Sequence, residues 1–351
     1  MLNNNIIISG TVTMLDAISI MDRVDRKLLI VCEGTKLQGV ISIGDIQRAI
    51  INKQNLSLPV SQFVRKKITL AKTGDDLERV KNQMRKGKIE AMPIVDDAGN
   101  LIDIIEWDEL FPSEKSTYHS PVELPVIIMA GGKGTRLLPL TYFIPKPLVP
   151  ISEKTIIEEI LTRFKNAGCR KFYISINYMG DKIRQFFSEK KEWDIDFIEE
   201  QKPLGTGGSL FFLKGQMDST FFVTNCDALI DIDLGDLLDF HKKNRNSITI
   251  VSTLKSVHIP YGTLETGING VVKTIHEKPD YVYQINSGFY VFEPDVLDYI
   301  EDDSFQNITD VIVRVIESGK KVGAFPVSEG SWTDMGNWEE YVKIANRYLS
   351  R

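Results

Sequence analysis

Three stretches of the chain carry groups suited to holding a phosphate chain, a divalent cation and hydroxyls. The first reads Met129-Ala-Gly-Gly-Lys-Gly-Thr-Arg136 and is followed by Pro145-Lys146-Pro147. Gly131, Gly132 and Gly134 let the backbone approach a phosphate chain, and their N–H groups can form an anion nest. Arg136 and Lys146 add charge-assisted contacts. The spacing is not that of a Walker loop, because Lys133 precedes Gly134. The second comprises Asn225-Cys-Asp227 and, far along the chain, Ser331-Trp-Thr-Asp334-Met-Gly-Asn-Trp338. Each presents a carboxylate, a hard oxygen ligand of the kind Mg²⁺ takes while keeping several waters. The third comprises Tyr261-Gly262, His276-Glu277-Lys278-Pro279 and Asn286-Ser-Gly-Phe-Tyr290. Glu277 and Asn286 can bond hydroxyls there, and Lys278 can neutralise a phosphate. Taken singly, each feature is ordinary: a glycine turn, an aspartate cap, a solvated Glu-Lys pair. Their combination points to chemistry. Cys226 has no histidine within its motif and reads as a packed thiol; His119, His241 and His258 match no ligand spacing.

These groups need a frame. From residue 125, apolar runs at Pro125-Val-Ile-Ile-Met-Ala130, Lys171-Phe-Tyr-Ile-Ser-Ile176 and Thr220-Phe-Phe-Val-Thr224 alternate with helical segments. One helix shows Ile156, Ile157, Ile160, Leu161 and Phe164 at period 3.6 and stops at Gly168. Such alternation predicts a mostly parallel α/β sheet with ligands at the carboxyl ends of its strands. Ahead of it, residues 1–115 hold a weak repeat: Ile30-Val31 and Asp45 recur as Ile94-Val95 and Glu109, an offset of 64. Each half predicts a helix, a short strand, a turn, a second strand and a closing helix. The segment Phe111–Pro125, with three prolines, predicts a linker, assigned to residues 116–124, before a domain over 125–351.

Composition sets limits. A chain of 351 residues that is 42% hydrophobic and 26% charged can bury two cores, which excludes a disordered or disulfide-scaffold class. With 42 basic and 48 acidic residues, the net charge of −6 gives no electrostatic case for nucleic acid. No run approaches the roughly 20 apolar residues of a membrane span, and Met1-Leu-Asn-Asn-Asn lacks the basic region of a signal peptide. Three scattered cysteines fit a reducing compartment, so a cytoplasmic location is expected.

The N-terminal repeat resembles a tandem cystathionine-β-synthase-type (CBS) pair, a smaller α+β module, best over Gly39-Val-Ile-Ser-Ile-Gly-Asp45-Ile-Gln-Arg48. In such pairs an aspartate opening the last helix can grip a ribose diol. The resemblance implies Asp45 as the ligand for an adenine nucleotide, with Glu109 its counterpart. The second copy departs from the pattern, with Asp103 for Gly39 and Glu106 for Ser42. Those acids should repel a phosphate, so at most one nucleotide per chain is expected. The alternative is an assembly module with Asp45 a helix cap; the chain is expected to be a homo-oligomer.

The string Gly-Gly-Lys-Gly-Thr-Arg-Leu…Pro-Lys-Pro resembles the signature of the sugar-nucleotidyltransferases, and the likeness runs from about residue 124 to the C-terminus. It implies a Rossmann-like sheet and an enzyme that joins a sugar 1-phosphate to a nucleoside triphosphate, releases pyrophosphate and uses Mg²⁺. It places Ala130, Gly131, Gly132, Gly134, Thr135 and Arg136 on the triphosphate. Lys146 falls near the reacting phosphates, Asp227 and Asp334 share the metal, and Gly262, Glu277, Lys278 and Asn286 meet the sugar phosphate. The nucleobase segment is Glu199-Glu200-Gln-Lys-Pro-Leu-Gly205-Thr206-Gly-Gly208. Glu200, five positions before the first glycine, would face the base. A carboxylate only accepts, and guanine offers N1–H and N2–H₂ side by side, so Glu200 favours GTP. UTP, CTP and dTTP remain alternatives, and a non-catalytic nucleotide sensor is the competing class. The segment also looks like guanylyltransferases acting on mannose, heptose or amino-sugar phosphates, which implies an NDP-sugar for surface glycan or amino-sugar/nonulosonate precursor synthesis.

Overall fold

The computed structural model describes residues 4–87, 89–111 and 121–349. They divide into two compact units that part between residues 120 and 121.

In the first unit one arrangement occurs twice. The first copy is β1 (Ile7–Ser9), α1 (Met14–Val24), β2 (Leu28–Glu33), β3 (Lys36–Ser42) and α2 (Ile43–Ile51). The second is β4 (Ala71–Lys72), α3 (Leu77–Gly87), β5 (Ala91–Val95), β6 (Leu101–Glu106) and the single turn α4 (Trp107–Leu110). In each copy the leading strand runs parallel to the middle one and the last two are antiparallel. The leading strands are additions to the sequence reading; at three and two residues they are too short to show a period. Leu28 faces Ser42 as Ala91 faces Glu106, and the ladders break after Val31 and after Ile94. Val31 therefore corresponds to Ile94, not Val95. The turn between the paired strands is one residue longer in the second copy, so the offset of 64 holds only beyond it.

The second unit is built on a seven-stranded sheet. In chain order its elements are β7 (Val126–Met129), α5 (Ile156–Ala167), β8 (Lys171–Ile176), α6 (Gly180–Phe187), β9 (Asp194–Glu199), α7 (Gly205–Gly208), β10 (Phe221–Asn225), β11 (Ala228–Ile230), α8 (Leu234–Asn244) and β12 (Ile248–His258). Then follow β13 (Thr263–Thr266), β14 (Val272–His276), β15 (Asp280–Phe292), α9 (Ile308–Glu317), β16 (Val322–Val327), β17 (Trp332–Asp334) and α10 (Trp338–Leu349). The sheet order is β16-β12-β15-β10-β7-β8-β9, with β15 alone antiparallel to its neighbours. The mostly parallel α/β reading holds.

The central strands are apolar on both faces because helices cover both. Val126 and Ile128 of β7 pack with Ile156, Ile160 and Phe164 of α5, whereas Ile127 and Met129 pack with Ile308, Val311 and Val315 of α9. α5 opens on a capping box, in which Thr155 Oγ1 accepts from the Glu158 N–H while the Glu158 side chain accepts from Thr155 N–H at 2.9 Å. It closes at Gly168, whose φ of 113° suits a residue without Cβ.

Part of the expected linker belongs to this unit. Val122 is buried, donates to Ala167 O at 2.8 Å and accepts from the Cys169 thiol. Residues 112–120, the rest of the expected linker and His119 among them, lie outside the described residues. No helix among the described residues is long and apolar enough to cross a membrane.

Candidate active site

The glycine-rich loop leaves the carboxyl end of β7. Ala130 is buried and spends its N–H on Ser175 O of β8 at 2.9 Å, while Gly131 O accepts from Tyr178 N–H at 3.3 Å. Gly134 has φ of +63°, and a Cβ there would lie 2.9 Å from Lys146 Cβ, so the turn needs glycine. Its carbonyl accepts from the Thr141 hydroxyl at 2.9 Å, a buried tie that the sequence reading did not include. The single turn Thr135–Leu137 follows and carries Arg136 outward, with 64% of its side chain exposed.

Lys146, held between Pro145 and Pro147, is buried. Its ammonium bonds Asp227 Oδ2, and Arg136 Nη2 lies 3.8 Å from the same oxygen. Asp227 stands in the turn between β10 and β11. β11 pairs antiparallel with β17, so that Ala228 faces Asp334, and Met335 N–H donates to Asp227 O at 2.9 Å. Two carboxylates remote in sequence thus come onto neighbouring rungs of one ladder. Asp334 Oδ1 accepts from Gly336 N–H at 2.7 Å, and a Cβ on Gly336 would sit 2.9 Å from both terminal nitrogens of Arg136. Arg136, Lys146, Asp227 and Asp334 therefore converge at the carboxyl end of the sheet.

The donor set suits Mg²⁺: two hard carboxylates beside two cations that can hold phosphate. No cluster of three or more His, Cys, Asp or Glu exists among the described residues. The remaining coordination would fall to phosphate oxygens and water, which is how Mg²⁺ is commonly held. Cys226 is buried, and burial pushes its thiol up to about 12, as a packed thiol requires.

The nucleobase segment differs from expectation in detail. Glu200 is buried, which raises its carboxyl above the ordinary range. It accepts from the Ser175 hydroxyl and, through Oε2, from Leu204 N–H at 3.1 Å. Oε1 lies 2.8 Å from where a Cβ on Gly131 would be, so the side chain abuts the phosphate loop. From the sequence, Glu200 is expected to accept from the base; here its oxygens already tie the segment after β9 to strand β8. Gly205 and Thr206 likewise have structural duties. Gly205 has φ of +77° and a Cβ there would be 2.4 Å from Gln306 O; the Thr206 hydroxyl accepts from Ile308 N–H at 3.1 Å. Gln306 O also takes the N–H groups of Gly207 and Gly208 at 2.9 and 3.2 Å. Gln306 carries no local sequence signal of this role.

The expected sugar contacts are only partly gathered. Asn286 Oδ1 accepts from Gly288 N–H at 3.0 Å, and a Cβ on Gly288 would strike the Asn225 amide, which puts Asn286 beside the end of β10. Gly262 and Glu277 adjoin each other, with Glu277 Oε2 3.0 Å from a Cβ built at 262. Lys278 follows in left-handed backbone, φ 46°. These three stand at the base of the β13–β14 hairpin. Among the described residues no hydrogen bond or ion pair joins them to Arg136, Lys146, Asp227 or Asp334.

In the first unit Asp45 is buried and hydrogen-bonded. Oδ2 accepts from Ser42 N–H at 2.8 Å, Ser42 Oγ at 2.7 Å and Arg65 Nε at 2.9 Å, and Oδ1 pairs with Arg48. It completes the capping box of α2 with Ser42 and also anchors two arginines. In the second copy Glu106 and Glu109 form the equivalent cap of α4. Glu106 also takes Arg26 Nε and Nη2 at 2.9 and 2.7 Å, so its charge is compensated from the first copy.

A mostly parallel sheet with a glycine-rich loop, paired cations and paired carboxylates at its carboxyl edge defines a nucleotide-handling α/β class. The nucleotidyl transferase family model matches residues 125–351, and the CBS-domain model matches residues 1–52 and 60–112. The chain belongs to the nucleotidyl transferase family and carries two CBS domains ahead of that domain. It is 33% identical over 232 residues to the mannose-1-phosphate guanylyltransferase catalytic subunit beta of Drosophila melanogaster, covering 64% of this chain and 62% of that one. To the UTP–glucose-1-phosphate uridylyltransferase of Synechocystis it is 28% identical over 249 residues, covering 65% and 64%. The chain thus spans less than two thirds of the length of these relatives. Among solved structures, HddC from Yersinia pseudotuberculosis matches with a TM-score of 0.51 and 26% identity over 64% of this chain and 99% of that one, and has also been solved complexed with GMP-PN.

Proposed function

We propose that the chain is a sugar-1-phosphate nucleotidyltransferase that draws its nucleotidyl group from GTP. The observation that carries this reading is the convergence of Arg136, Lys146, Asp227 and Asp334 beside the glycine-rich loop. An oxygen of the sugar 1-phosphate attacks the α-phosphorus in line and pyrophosphate leaves; both reactants bring their own charge, so no protein nucleophile is needed. The chain contributes position and counter-charge. Arg136 and Lys146 neutralise phosphate oxygens, and the loop of residues 130–136 lets the triphosphate approach the backbone. Lys146 is paired with Asp227 before substrate arrives, so its ammonium is already fixed in place. Mg²⁺, held by Asp227 and Asp334, would supply charge neutralisation at the reacting phosphates. A relic that only senses nucleotide would have no need of both carboxylates. Pyrophosphate release with four nucleoside triphosphates crossed against a panel of sugar 1-phosphates tests the reading; silence across the panel rejects it.

The preference for GTP rests on Glu200, and the guanylyltransferase relatives support it. Glu200→Gln is the informative variant, because an amide can still accept from Leu204 N–H and donate to Ser175. It removes an acceptor and presents a donor to guanine, which costs roughly 1–3 kcal/mol, or about ten- to hundredfold in the ratio of kcat/KM for GTP against UTP. An unchanged ratio means that Glu200 only ties the segment after β9 to β8.

For the first unit we propose an adenine nucleotide, with Asp45 meeting the ribose. The half-exposed Arg48 and Arg65 beside it supply cationic charge for a phosphate. Calorimetry on the full chain is expected to give at most one AMP, ADP or ATP per chain, lost in Asp45→Ala. Absence of binding leaves Asp45 as the cap of α2 in an assembly module.

A further inference from the structure

Between Gly131 and Phe143 only Leu137 and Thr141 are buried, so packing fixes the glycine-rich loop at two points and hydrogen bonds must set the rest. Those bonds lead back to one residue. Tyr178 lies between β8 and α6 and is half-buried. Its N–H donates to Gly131 O at 3.3 Å, where the loop begins. Its hydroxyl donates to Thr141 O at 3.2 Å. The Thr141 hydroxyl in turn donates to Gly134 O at 2.9 Å, at the left-handed turn. Tyr178 thus braces both ends of the span from Gly131 to Gly134, directly at one end and through a relay at the other.

The direction of these bonds carries the consequence. In a planar trans peptide the N–H points opposite to the C=O. Holding Gly131 O toward Tyr178 therefore turns the Gly132 N–H the other way, and holding Gly134 O toward Thr141 turns the Thr135 N–H away from Thr141. Neither N–H has an acceptor among the described residues. Backbone donors that are aimed by their own carbonyls and left without acceptors are what an anion nest requires. Leu137 N–H also donates to Gly134 O at 2.9 Å, so loss of the Thr141 hydroxyl leaves that carbonyl a partner and removes only the tie to Tyr178.

We propose that Tyr178, with Thr141 as its relay, is the positioning residue that aims the Gly132 and Thr135 N–H groups at a phosphate chain. Its effect on turnover rests on the proposed function, so binding of a bare phosphate chain decides the positioning itself.

The test is calorimetry of inorganic tripolyphosphate on the full chain, for the wild type, Tyr178→Phe, Thr141→Val, their double variant and Thr141→Ser. Each of the first two variants should bind about tenfold more weakly, the loss that goes with one hydrogen bond. The two links act in series, so the double variant should lose no more than the worse single one. Thr141→Ser keeps the hydroxyl and should bind like the wild type. Phe and Val keep nearly the shapes they replace, so a packing role would show in the melting temperature and not in affinity. Three results each overturn the proposal: a wild type that does not bind tripolyphosphate, single variants that bind as tightly as the wild type, or a double variant whose loss is the product of the two. A Thr141→Ser chain as weak as Thr141→Val overturns the relay as well. In turnover, kcat/KM for the nucleotide should fall about tenfold in Tyr178→Phe while KM for the sugar phosphate stays unchanged. A wild type that binds tripolyphosphate yet releases no pyrophosphate with any substrate pair removes the proposed function and leaves the positioning role standing.

Discussion

Asp227→Asn and Asp334→Asn are each expected to lower pyrophosphate release by two orders of magnitude or more. With Mg²⁺ held as proposed, each variant would remove one anionic ligand from it, and several kcal/mol of charge stabilisation at the reacting phosphates would go with it; about 1.4 kcal/mol is a factor of ten. The two should differ in stability. Asp227 neutralises the buried Lys146, so its loss leaves an ammonium without its carboxylate and should lower the melting temperature. The contact of Asp334 is with the Gly336 N–H, which an amide oxygen accepts equally well, so Asp334→Asn should melt like the wild type. Both should need more Mg²⁺ to reach half-maximal rate. Near-normal turnover by a well-folded Asp334→Asn chain would overturn the shared-metal assignment.

Arg136→Ala carries the next largest expected effect, a loss of about a hundred- to a thousandfold in kcat, the usual consequence of deleting one donor preorganised for developing charge. Arg136 is mostly exposed and approaches Asp227 only to 3.8 Å, so the folded state loses little. The circular dichroism and melting curve should not move while turnover collapses. Arg136→Lys should recover only part of the rate, since an ammonium cannot reproduce the planar fork that grips two phosphate oxygens. A kcat within a few-fold of the wild type in Arg136→Ala would remove Arg136 from the reacting centre.

What was legible in the sequence was local. β8 occupies the apolar run Lys171–Ile176, and α5 stops at Gly168 because its period, capping box and C-terminal glycine lie within one stretch of chain. The glycine-rich loop and Asp227 were readable as site elements because each directly follows a buried strand whose carboxyl end must open on the ligand side of a parallel sheet. The short leading strands β1 and β4 left too few residues for a period. The one-residue shift in the first unit's repeat was hidden by a turn whose length does not affect the apolar pattern.

The sequence by itself determined the strand and helix alternation, the class of sheet and the residue types able to handle phosphate and metal, since these follow from short-range periodicity and side-chain chemistry. Only the tertiary structure decided which of them meet. The β11–β17 ladder sets Asp334 beside Asp227, Lys146 becomes the counter-ion of Asp227, and Gln306 shapes the Gly205 turn. Glu200 turned out to be tied to Ser175 and Leu204 for the same reason. A buried carboxylate must find donors wherever the fold brings them, and the donors within reach depend on which strands lie side by side, not on which residues are neighbours along the chain.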